Sequence, residues 1–478
     1  MAATIPSDVY FNTITELTTR LKAKEFKAED LARAFAQRLA QLGPRYNALA
    51  LPLEQQARHK GKLVDQDIKI DRWRSSLHGI PYGAKDLLAY KGVPTTWGAK
   101  PYASQVFDYN ATVIDKLDAA GAVLTGKLAM VELAGGGGYR FPSASVTGPG
   151  LNPWDRTRWS GGSSSGSAAA VAAGLVTFAL GSETSGSIVT PASYCGVTGL
   201  RPTYGLVSRH GAMALSWTLD KIGPIARSAD DCGHILHVIA GGDSKDPGSA
   251  GTNFYYAPQY AHPMKELKVG YAAVDFAERA EEPARAAFQA ALAVLKEIGV
   301  TLVETKLPSF PYGPILSTIL TAEQASNFES LITSGRVDQL TDAAQIAGLK
   351  ASLELPARDY LKAMRLRRLI QAEFHKLFTQ VDVLLAPGRP GPATKIDQPL
   401  DRGGFQPPTG TPPGLQGIIQ AGNLAGLPAL VLPCGFADNM PVALQVVGAP
   451  LAENVLLAIG REFQSRTDWH KRRPPEFS

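Results

Sequence analysis

Cysteine is scarce in this chain, and the three cysteines (Cys195, Cys232 and Cys434) contain no Cys-x-x-Cys pair. They cannot build the disulfide framework of a small secreted domain, so we expect a reducing compartment. Long hydrophobic runs are also missing, because the stretch 168–180 is too short to cross a bilayer and is broken by Gly174. No signal peptide is visible, although a trimmed leader would leave the same pattern. We expect a cytoplasmic protein without membrane contact.

A strong charge of either sign is absent too. The net charge is +5 over 478 residues, and the basic residues are not grouped with aromatic ones. A direct nucleic-acid partner is therefore not expected. The 8 histidines are scattered without metal-ligand spacing, so the sequence predicts neither a metal nor a cofactor. With 45% hydrophobic residues, the chain has enough apolar surface for a large core.

Glycine and serine are concentrated in the stretch 159–192. A glycine-serine turn is followed by a predicted alanine-rich helix at 167–173 and a buried strand at 175–180. A second glycine-serine turn at 181–186 then enters a helix at about Ser187. Serine packs poorly and glycine is not rigid. Two such clusters around an apolar strand therefore indicate hydroxyls and bare backbone at a sheet edge.

Strand and helix patterns alternate along the rest of the chain. Strands are predicted at 80–84, 122–125, 267–271, 300–305, 381–385 and 429–432, the last pairing with 441–448 as a hairpin. Helices are predicted at 13–22, 28–42, 112–120, 282–298, 359–378 and 452–464. This alternation predicts an α/β fold with a mixed, mostly parallel central sheet covered by helices on both faces. We predict a single domain over residues 1–478, with its core in 70–240 and 380–478 and a helical cap or lid at 308–357.

Two stretches and one cysteine resemble catalytic features only superficially. Residues 121–128 nearly match a phosphate-binding loop, but Leu128 stands where a serine or threonine must reach magnesium, which favours a buried strand and turn. Residues 162–166 match the G-x-S-x-G elbow of α/β-hydrolases, yet 156–159 is a poor strand to lead into it. Cys195 falls at the C-terminal end of a predicted helix, where a thiolate is not stabilised, so we interpret it as a packing residue.

Lysine together with serine remains as candidate chemistry. A serine hydroxyl needs a base to become nucleophilic, and lysine is a base only when its pKa falls from about 10.4 to roughly 7–8. Lys85 follows the apolar strand predicted at 80–84, which suits burial. Asp86 beside it is either an orienting partner or a helix cap. A Ser-His-Asp triad stays open at this point, as does a lysine that merely extends from a strand end to solvent.

Eight motifs together resemble the amidase signature family of serine hydrolases, in the family's order and over nearly the whole chain. They are H-G-I-P-Y-G-A-K-D around Lys85, A-G-A-V-L-T-G-K-L-A-M-V-E-L-A from Ala120, G-G-S-S-S-G-S-A-A-A-V-A-A-G from Gly161, G-S-E-T-S-G-S-I-V-T-P-A from Gly181, G-L-R-P-T-Y-G-L-V-S-R-H-G from Gly199, L-D-K-I-G-P from Leu219, N-L-A-G-L-P-A from Asn423 and T-D-W-H-K-R-R-P from Thr467. The resemblance implies a Ser-Ser-Lys triad in place of Ser-His-Asp.

By matching position, the resemblance implies that Ser187 is the nucleophile, Ser163 the bridging serine after a cis peptide bond, and Lys85 the base. A proton would pass from Ser187 through Ser163 to Lys85 and return to the departing amine, after which water would hydrolyse the acyl-enzyme. The resemblance also implies an oxyanion hole made by the backbone N–H groups of Thr184, Ser185, Gly186 and Ser187.

The second turn departs from the family's D-T-G-G-S-I-R pattern at three positions. Glu183 replaces the acid and keeps its charge, and Ser185 replaces the first glycine and adds a side chain. Val189 replaces the arginine, and we expect this loss of a cation to weaken ion pairing near Ser187.

The substrate pocket is the least determined part of the sequence. The segment 130–139 is similar to the family's pocket-lining segment, so Met130, Gly136, Gly137 and Tyr139 are candidates for substrate binding, together with Trp217. A flexible loop is the alternative for the glycines, and core packing is the alternative for the aromatic side chains.

Three functions are compatible with these residues. The preferred one is an amidohydrolase, monomeric or homodimeric, that cleaves the C–N bond of a small, apolar amide or anilide, or an ester or carbamate. The alternative is the glutamine-hydrolysing A subunit of a tRNA-dependent amidotransferase, which the motifs from Gly199 and Leu219 are similar to. Val189 and the lack of a recognisable docking feature argue against that alternative. A catalytically silent binding protein is disfavoured by the intact Lys85, Ser163 and Ser187.

Overall fold

The structure, a computed structural model, describes residues 5–260, 263–400 and 406–477. The strands of these residues are β1 (Leu49–Pro52), β2 (Pro81–Lys85), β3 (Val123–Leu128), β4 (Leu151–Asn152), β5 (Asp155–Trp159), β6 (Phe178–Glu183), β7 (Thr198–Arg201), β8 (Lys221–Ala226), β9 (Lys268–Tyr271), β10 (Thr301–Glu304), β11 (Val383–Pro387), β12 (Ala429–Ala437) and β13 (Met440–Gly448).

Helices separate most of these strands along the chain. They are α1 (Ile14–Lys22), α2 (Ala28–Leu42), α3 (Glu54–Lys69), α4 (Thr112–Ala119), α5 (Ser165–Ala172), α6 (Val189–Cys195), α7 (Ala229–Ile239), α8 (Glu282–Ile298), α9 (Tyr312–Asn327), α10 (Glu329–Thr333), α11 (Ala343–Ser352), α12 (Ala357–Leu377), α13 (Ile418–Ala425) and α14 (Glu453–Ser465). None of the helices in the described parts of the chain combines the length and the apolar character needed to cross a membrane.

Eleven of the strands form one sheet in the order β1-β3-β2-β6-β8-β7-β12-β13-β11-β9-β10. The mixed α/β class is confirmed, and β12 and β13 form the predicted antiparallel hairpin. The expectation that most of the sheet is parallel is wrong. Only β2 with β3, β2 with β6, β9 with β10 and β9 with β11 run parallel. Strands β7 and β8 were not predicted from the sequence; they enter the sheet between β6 and β12 and run antiparallel to their neighbours.

The sheet separates two layers of apolar side chains. Successive residues of a strand point to opposite faces, and in β12 Ala429 and Val431 pack with one layer while Leu430 and Leu432 pack with the other. Helices α5, α6, α9, α12 and α13 contribute to the first layer, and α1, α3, α4, α7, α8 and α14 contribute to the second. Both faces of the sheet are therefore covered, as the near-continuous apolar strands require.

Element boundaries shift most around the central stretch. Helices α2 and α8 have their predicted bounds, whereas β6 starts three residues later than predicted and extends to Glu183. Asp155–Trp159 is a strand, which corrects the sequence interpretation, but it pairs with β4 in a separate two-stranded sheet and makes one isolated bridge, from Arg158 to Lys395. A strand outside the main sheet cannot deliver a serine to the sheet edge, so the G-x-S-x-G stretch is still not an elbow.

The segment predicted as a cap contains α9, α10 and α11 and is helical. The main sheet draws its strands from residues as far apart as Leu49 and Gly448. A single domain with a separate cap stays a prediction.

The arrangement of β2 and β6 places the candidate residues together. The two strands are parallel neighbours, with Ala84 of β2 opposite Leu180 of β6. Their carboxyl ends, Lys85 and Glu183, therefore lie at the same edge of the sheet. Ligand sites in open α/β sheets form beyond such strand ends.

Candidate active site

Lys85 is fully buried and is held by three serine hydroxyls. Its Nζ lies 2.7 Å from Ser163 Oγ, 3.0 Å from Ser164 Oγ and 2.9 Å from Ser182 Oγ. The side chain has 0% relative exposure, and none of the ion pairs among the described residues involves it. A buried amine without a carboxylate partner is in an environment that favours its neutral form.

The electrostatics of the site follow from this burial. Desolvation lowers the pKa of Lys85 to about 7, although the carboxylates of Asp220 and Glu183 oppose the shift. A neutral amine keeps a lone pair that can accept the proton of a bound hydroxyl. The pKa lies in the range that the sequence argument required of a lysine base.

Asp86 does not act on Lys85. Its carboxylate lies 2.8 Å from the buried Lys127 Nζ and accepts from the Thr96 hydroxyl at 2.5 Å. Lys127 lies in the stretch 121–128 that resembles a phosphate-binding loop, and residues 123–128 of this stretch are the buried strand β3, as predicted. Neither proposed role of Asp86, orienting Lys85 or capping a helix, is observed.

The first glycine-serine turn positions two of the hydroxyls. The peptide bond between Gly162 and Ser163 is cis, and Ser163 and Ser164 precede α5. Every residue of α5 is buried. A methyl group on Gly166 would come within 2.4 Å of the Ala48 carbonyl oxygen, so the helix can approach its neighbours only because its residues are so small.

The second glycine-serine turn leaves four consecutive backbone N–H groups without acceptors. The N–H groups of Thr184, Ser185, Gly186 and Ser187 have no hydrogen-bond partner among the described residues. The Ser187 hydroxyl also lacks a partner in this part of the chain, so no hydrogen bond to Ser163 is present. Ser187 nevertheless lines the same cavity as Gly162, the residue before Ser163.

Two buried carboxylates hold this turn. Glu183 Oε2 accepts the N–H groups of Ile188 and Val189 at 2.9 and 3.0 Å. Asp220 Oδ1 accepts the Thr184 hydroxyl at 2.6 Å. The turn is thus fixed at both ends, while its own backbone N–H groups stay available to bind an incoming oxygen atom.

The cation for Glu183 comes from Arg201. Arg201 Nη1 lies 2.7 Å from Glu183 Oε1, both side chains have 0% exposure, and Asn423 donates to the same oxygen at 2.8 Å. The pKa of Glu183 is held at about 2 by Arg201 and these hydrogen bonds against the opposing effect of burial. Val189 packs in the apolar core, and the loss of ion pairing expected from it is not observed at Glu183.

We expect Glu183→Gln to lower the free energy of unfolding by about 3–5 kcal/mol, because it leaves the Arg201 guanidinium buried without a counter-charge. The folded-state pKa of Glu183 is about 2 against an ordinary 4.5, so this stability is present above pH 4.5 and is lost as the pH falls through 2. Urea unfolding at pH 7 measures the difference.

A surface carboxylate provides the control for that experiment. Glu462 pairs with Arg466 at 2.6 Å, but both side chains are exposed. Glu462→Gln should therefore change stability by less than about 1 kcal/mol. Equal effects of the two substitutions would show that Glu183 does not anchor the turn.

A cavity of about 370 Å³ opens at Ser187, and its wall includes Tyr139, Ala134 and Gly135. Met130, Gly136 and Gly137 do not line it. Met130 is fully buried, Gly136 packs against Leu215 and Phe328, and the Gly137 N–H donates to Gln324 Oε1 at 2.7 Å. Of the predicted pocket segment 130–139, only Ala134, Gly135 and Tyr139 line the cavity.

Trp217 belongs to a second cavity, of about 400 Å³, which also borders Ser182 and Thr184. Its other wall residues include Leu87, Met213 and Ile222. Thr184 of the turn therefore borders both cavities, and the two aromatic residues chosen from the sequence line different ones.

Several residues of the site were not singled out from the sequence. Ser164 and Ser182 bind Lys85, and both lie in the glycine-serine clusters that drew attention to this region. Arg201 and Asn423 lie inside motifs quoted for the family resemblance, so their presence was visible although their contact with Glu183 was not. Arg389 lines the Ser187 cavity, and no pattern in the sequence pointed to it.

The other candidates are structural. Cys195 ends α6, is fully buried, and has its pKa raised by desolvation, which agrees with a packing role. Two of the scattered histidines, His234 and His237, lie in α7 and line neither cavity.

The sequence and the fold of this chain are similar to those of known proteins. A family model described as Amidase matches residues 30–457. The A subunit of the glutamyl-tRNA(Gln) amidotransferase of Synechococcus sp. (strain JA-2-3B'a(2-13)) is 37% identical over 502 residues, covering 97% of this chain and 93% of that protein.

Solved structures show the same similarity. The peptide amidase of Stenotrophomonas maltophilia superposes with a TM-score of 0.84 at 29% identity, over 99% of this chain and all of the other. The A subunit of the glutamyl-tRNA(Gln) amidotransferase of Thermotoga maritima superposes with a TM-score of 0.78 at 29% identity, over 97% of each chain.

Proposed function

The chain belongs to the amidase signature family, whose enzymes act on carbon–nitrogen bonds, and from this premise we propose that it hydrolyses the amide bond of a small molecule through an acyl-enzyme on Ser187. The observation that carries the proposal is the buried Lys85 amine, bound to Ser163 at 2.7 Å without a carboxylate partner.

Acylation begins with the neutral Lys85. Its lone pair takes the proton of Ser163, and Ser163 takes the proton of Ser187 as the Ser187 oxygen attacks the amide carbon. The free enzyme contains the first of these hydrogen bonds, and the bound substrate brings Ser187 and Ser163 together for the second. Catalytic hydrogen bonds often shorten only in the complex with substrate.

The turn at 184–187 stabilises the negative charge that develops on the carbonyl oxygen. Its four N–H groups have no acceptor among the described residues, so they can donate to that oxygen. The proton then returns from Lys85 through Ser163 to the departing amine, which cannot leave as an anion. Water repeats the same steps on the ester of Ser187 and releases the acid.

We expect kcat/KM for an uncharged amide to rise with pH and to level off above about 7, because burial lowers the pKa of Lys85 to about 7 and only the neutral amine accepts a proton. Below that pH, the rate should fall about tenfold per pH unit as the amine becomes protonated. Initial rates between pH 5 and 9 measure the profile. A rate that fell on going from pH 6 to pH 8 would contradict the assignment.

A second candidate is the glutaminase component of a tRNA-dependent amidotransferase. The curated relative at 37% identity has that name, and so does the Thermotoga maritima structure. These relatives favour the second candidate more directly than a stand-alone enzyme, while the peptide amidase structure favours the first. Under the second candidate the same Ser187 acyl-enzyme forms from glutamine, and a protein partner receives the ammonia.

A hydrolysis screen on the chain alone separates the two. Glutamine, acyl anilides, aryl esters and carbamates are compared by ammonia or chromophore release. Turnover of anilides or small amides well above that of glutamine supports the stand-alone enzyme. Glutamine turnover that appears or rises on adding the partner component of an amidotransferase, with little activity on the other compounds, supports the second candidate.

The place of action is also a proposal. The cysteines of the described residues, Cys195, Cys232 and Cys434, are all buried and unpaired. Free thiols agree with a reducing environment, so we propose that the protein acts in the cytoplasm.

A further inference from the structure

One wall of the Ser187 cavity carries an arginine that has no carboxylate partner among the described residues. Arg389 lines the cavity, its Nε is buried without an acceptor, and none of the ion pairs of the described residues includes it. Trp159 is 5% exposed and lines the same cavity, and its indole Nε1 is also buried without an acceptor. Neither of these two buried atoms is reached from the cavity, but Arg389 as a whole is only partly buried, so the rest of its guanidinium is suited to an acceptor that arrives with the ligand.

The wall formed by Arg389 and Trp159 lies in the same cavity as Ser187 and Gly162, the residue before Ser163. A methyl group on Gly162, the residue before Ser163, would come within 2.7 Å of the Trp159 ring and 3.0 Å of the Tyr139 hydroxyl. Tyr194 lines the cavity as well, with its ring centroid 5.8 Å from the Arg389 guanidinium carbon, and its hydroxyl is a hydrogen-bond partner of that guanidinium. The cavity wall beside Ser187 therefore combines aromatic side chains with a guanidinium.

Glu281 is the carboxylate on the same cavity wall. Its backbone N–H donates to the Pro390 carbonyl at 2.9 Å, and its carboxyl group packs against Gly391, where a methyl group would come within 2.2 Å of its Cδ. Its side chain makes no ion pair among the described residues, so it does not neutralise Arg389 by direct contact. The wall thus offers one guanidinium and one carboxylate that are not paired with each other.

We propose that this wall binds a carboxylate carried by the amide substrate, with Arg389 as the residue that determines this specificity. The inference rests on the proposed amide hydrolysis at Ser187 and deepens it. A guanidinium presents N–H groups in a fork that matches a carboxylate, which makes Arg389 the carboxylate-binding group of this wall. Glu281 repels a second carboxylate, so the preferred ligand has one.

The experiment measures binding without turnover. In a Ser187→Ala background, calorimetry compares succinamate, glutaramate and adipamate with the methyl ester of each. We expect at least one acid to bind about tenfold more tightly than its ester, since charge-assisted hydrogen bonds to a guanidinium are strong. Adding Arg389→Met removes that preference, and adding Arg389→Lys keeps part of it. Because every variant is tested with both ligands, a general loss of folding is distinguished from a loss of carboxylate recognition.

Arg279 provides the matched control. Its guanidinium borders a neighbouring cavity and already donates to the carbonyls of Pro412 and Thr411. Arg279→Met removes one positive charge and should leave the preference for the acid unchanged. Glu281→Gln should strengthen binding of the acid by a few-fold, about 2- to 5-fold, because it removes a like charge.

Three results would overturn the inference. They are esters that bind as tightly as every acid, a preference that survives Arg389→Met, and a preference that Arg279→Met removes equally. Binding is read in a variant without the Ser187 hydroxyl, so these outcomes are distinct from a failure of the proposed hydrolysis, which turnover assays of the unmodified chain reveal.

Discussion

Replacing Ser187 with alanine should lower kcat/KM for amide hydrolysis by about 10⁴- to 10⁶-fold, the loss typical of removing a catalytic nucleophile. The hydroxyl has no hydrogen-bond partner among the described residues, and the side chain is 8% exposed at the cavity. Its removal therefore costs little packing or hydrogen bonding. The variant should keep the unfolding midpoint of the unmodified protein, so that the lost activity reports chemistry alone.

Ser185 is the control for this substitution. It lies two residues before Ser187 and lines the same cavity. Ser185→Ala keeps the backbone N–H and should retain activity within about tenfold, because the oxyanion donor is preserved. If Ser187→Ala retained comparable activity, another residue would be the nucleophile.

Lys85→Met should lower kcat/KM by about 10²- to 10⁴-fold, the usual contribution of a general base. Methionine fills a similar volume, so the buried site is not emptied, and no carboxylate among the described residues is left without its cation. The pH dependence with a pKa of about 7 should disappear in the variant. Rates measured from pH 5 to 9 on both proteins test the two effects together.

Substituting the serines around Lys85 distinguishes a role in proton transfer from a role in holding Lys85 in place. Ser163→Ala interrupts the path to Ser187 and should lower the rate by roughly as much as Lys85→Met, about 10²- to 10⁴-fold. Ser182 also binds Lys85, at 2.9 Å, but lies outside the proposed path. Ser182→Ala should therefore have a much smaller effect. Equal losses would show that the hydroxyls only hold Lys85 in place.

Local patterns were sufficient for several of the longer helices, though not for α3, and for the residues at the ends of β2 and β6. Helices α2 and α8 have clear apolar periodicity, and their bounds were predicted to the residue. Lys85 was found because an apolar strand precedes it. Both glycine-serine clusters were recognised because their composition suits neither packing nor rigidity.

The remaining features depend on contacts between distant parts of the chain. The strand order around β7 and β8 is set by their pairing with β6 and β12. No local sequence pattern shows this pairing, so the predicted share of parallel strand pairs was too high. The pairing of Glu183 with Arg201 and Asn423 joins three separate motifs. Met130, Gly136 and Gly137 were chosen because the segment 130–139 resembles the family's pocket-lining segment, but Met130 is fully buried and none of the three lines the cavity.

Labelling with a fluorophosphonate tests the central claim, that a neutral Lys85 activates Ser187 through Ser163, most directly. The rate of labelling is measured against pH, and the adduct is located by mass spectrometry in the unmodified protein and in Lys85→Met. The proposed mechanism predicts an adduct on Ser187, a rate that rises with pH up to about 7, and a loss of both the rate and its pH dependence without Lys85. An adduct found only on another serine, or a rate at Ser187 that is unchanged in Lys85→Met, would contradict it.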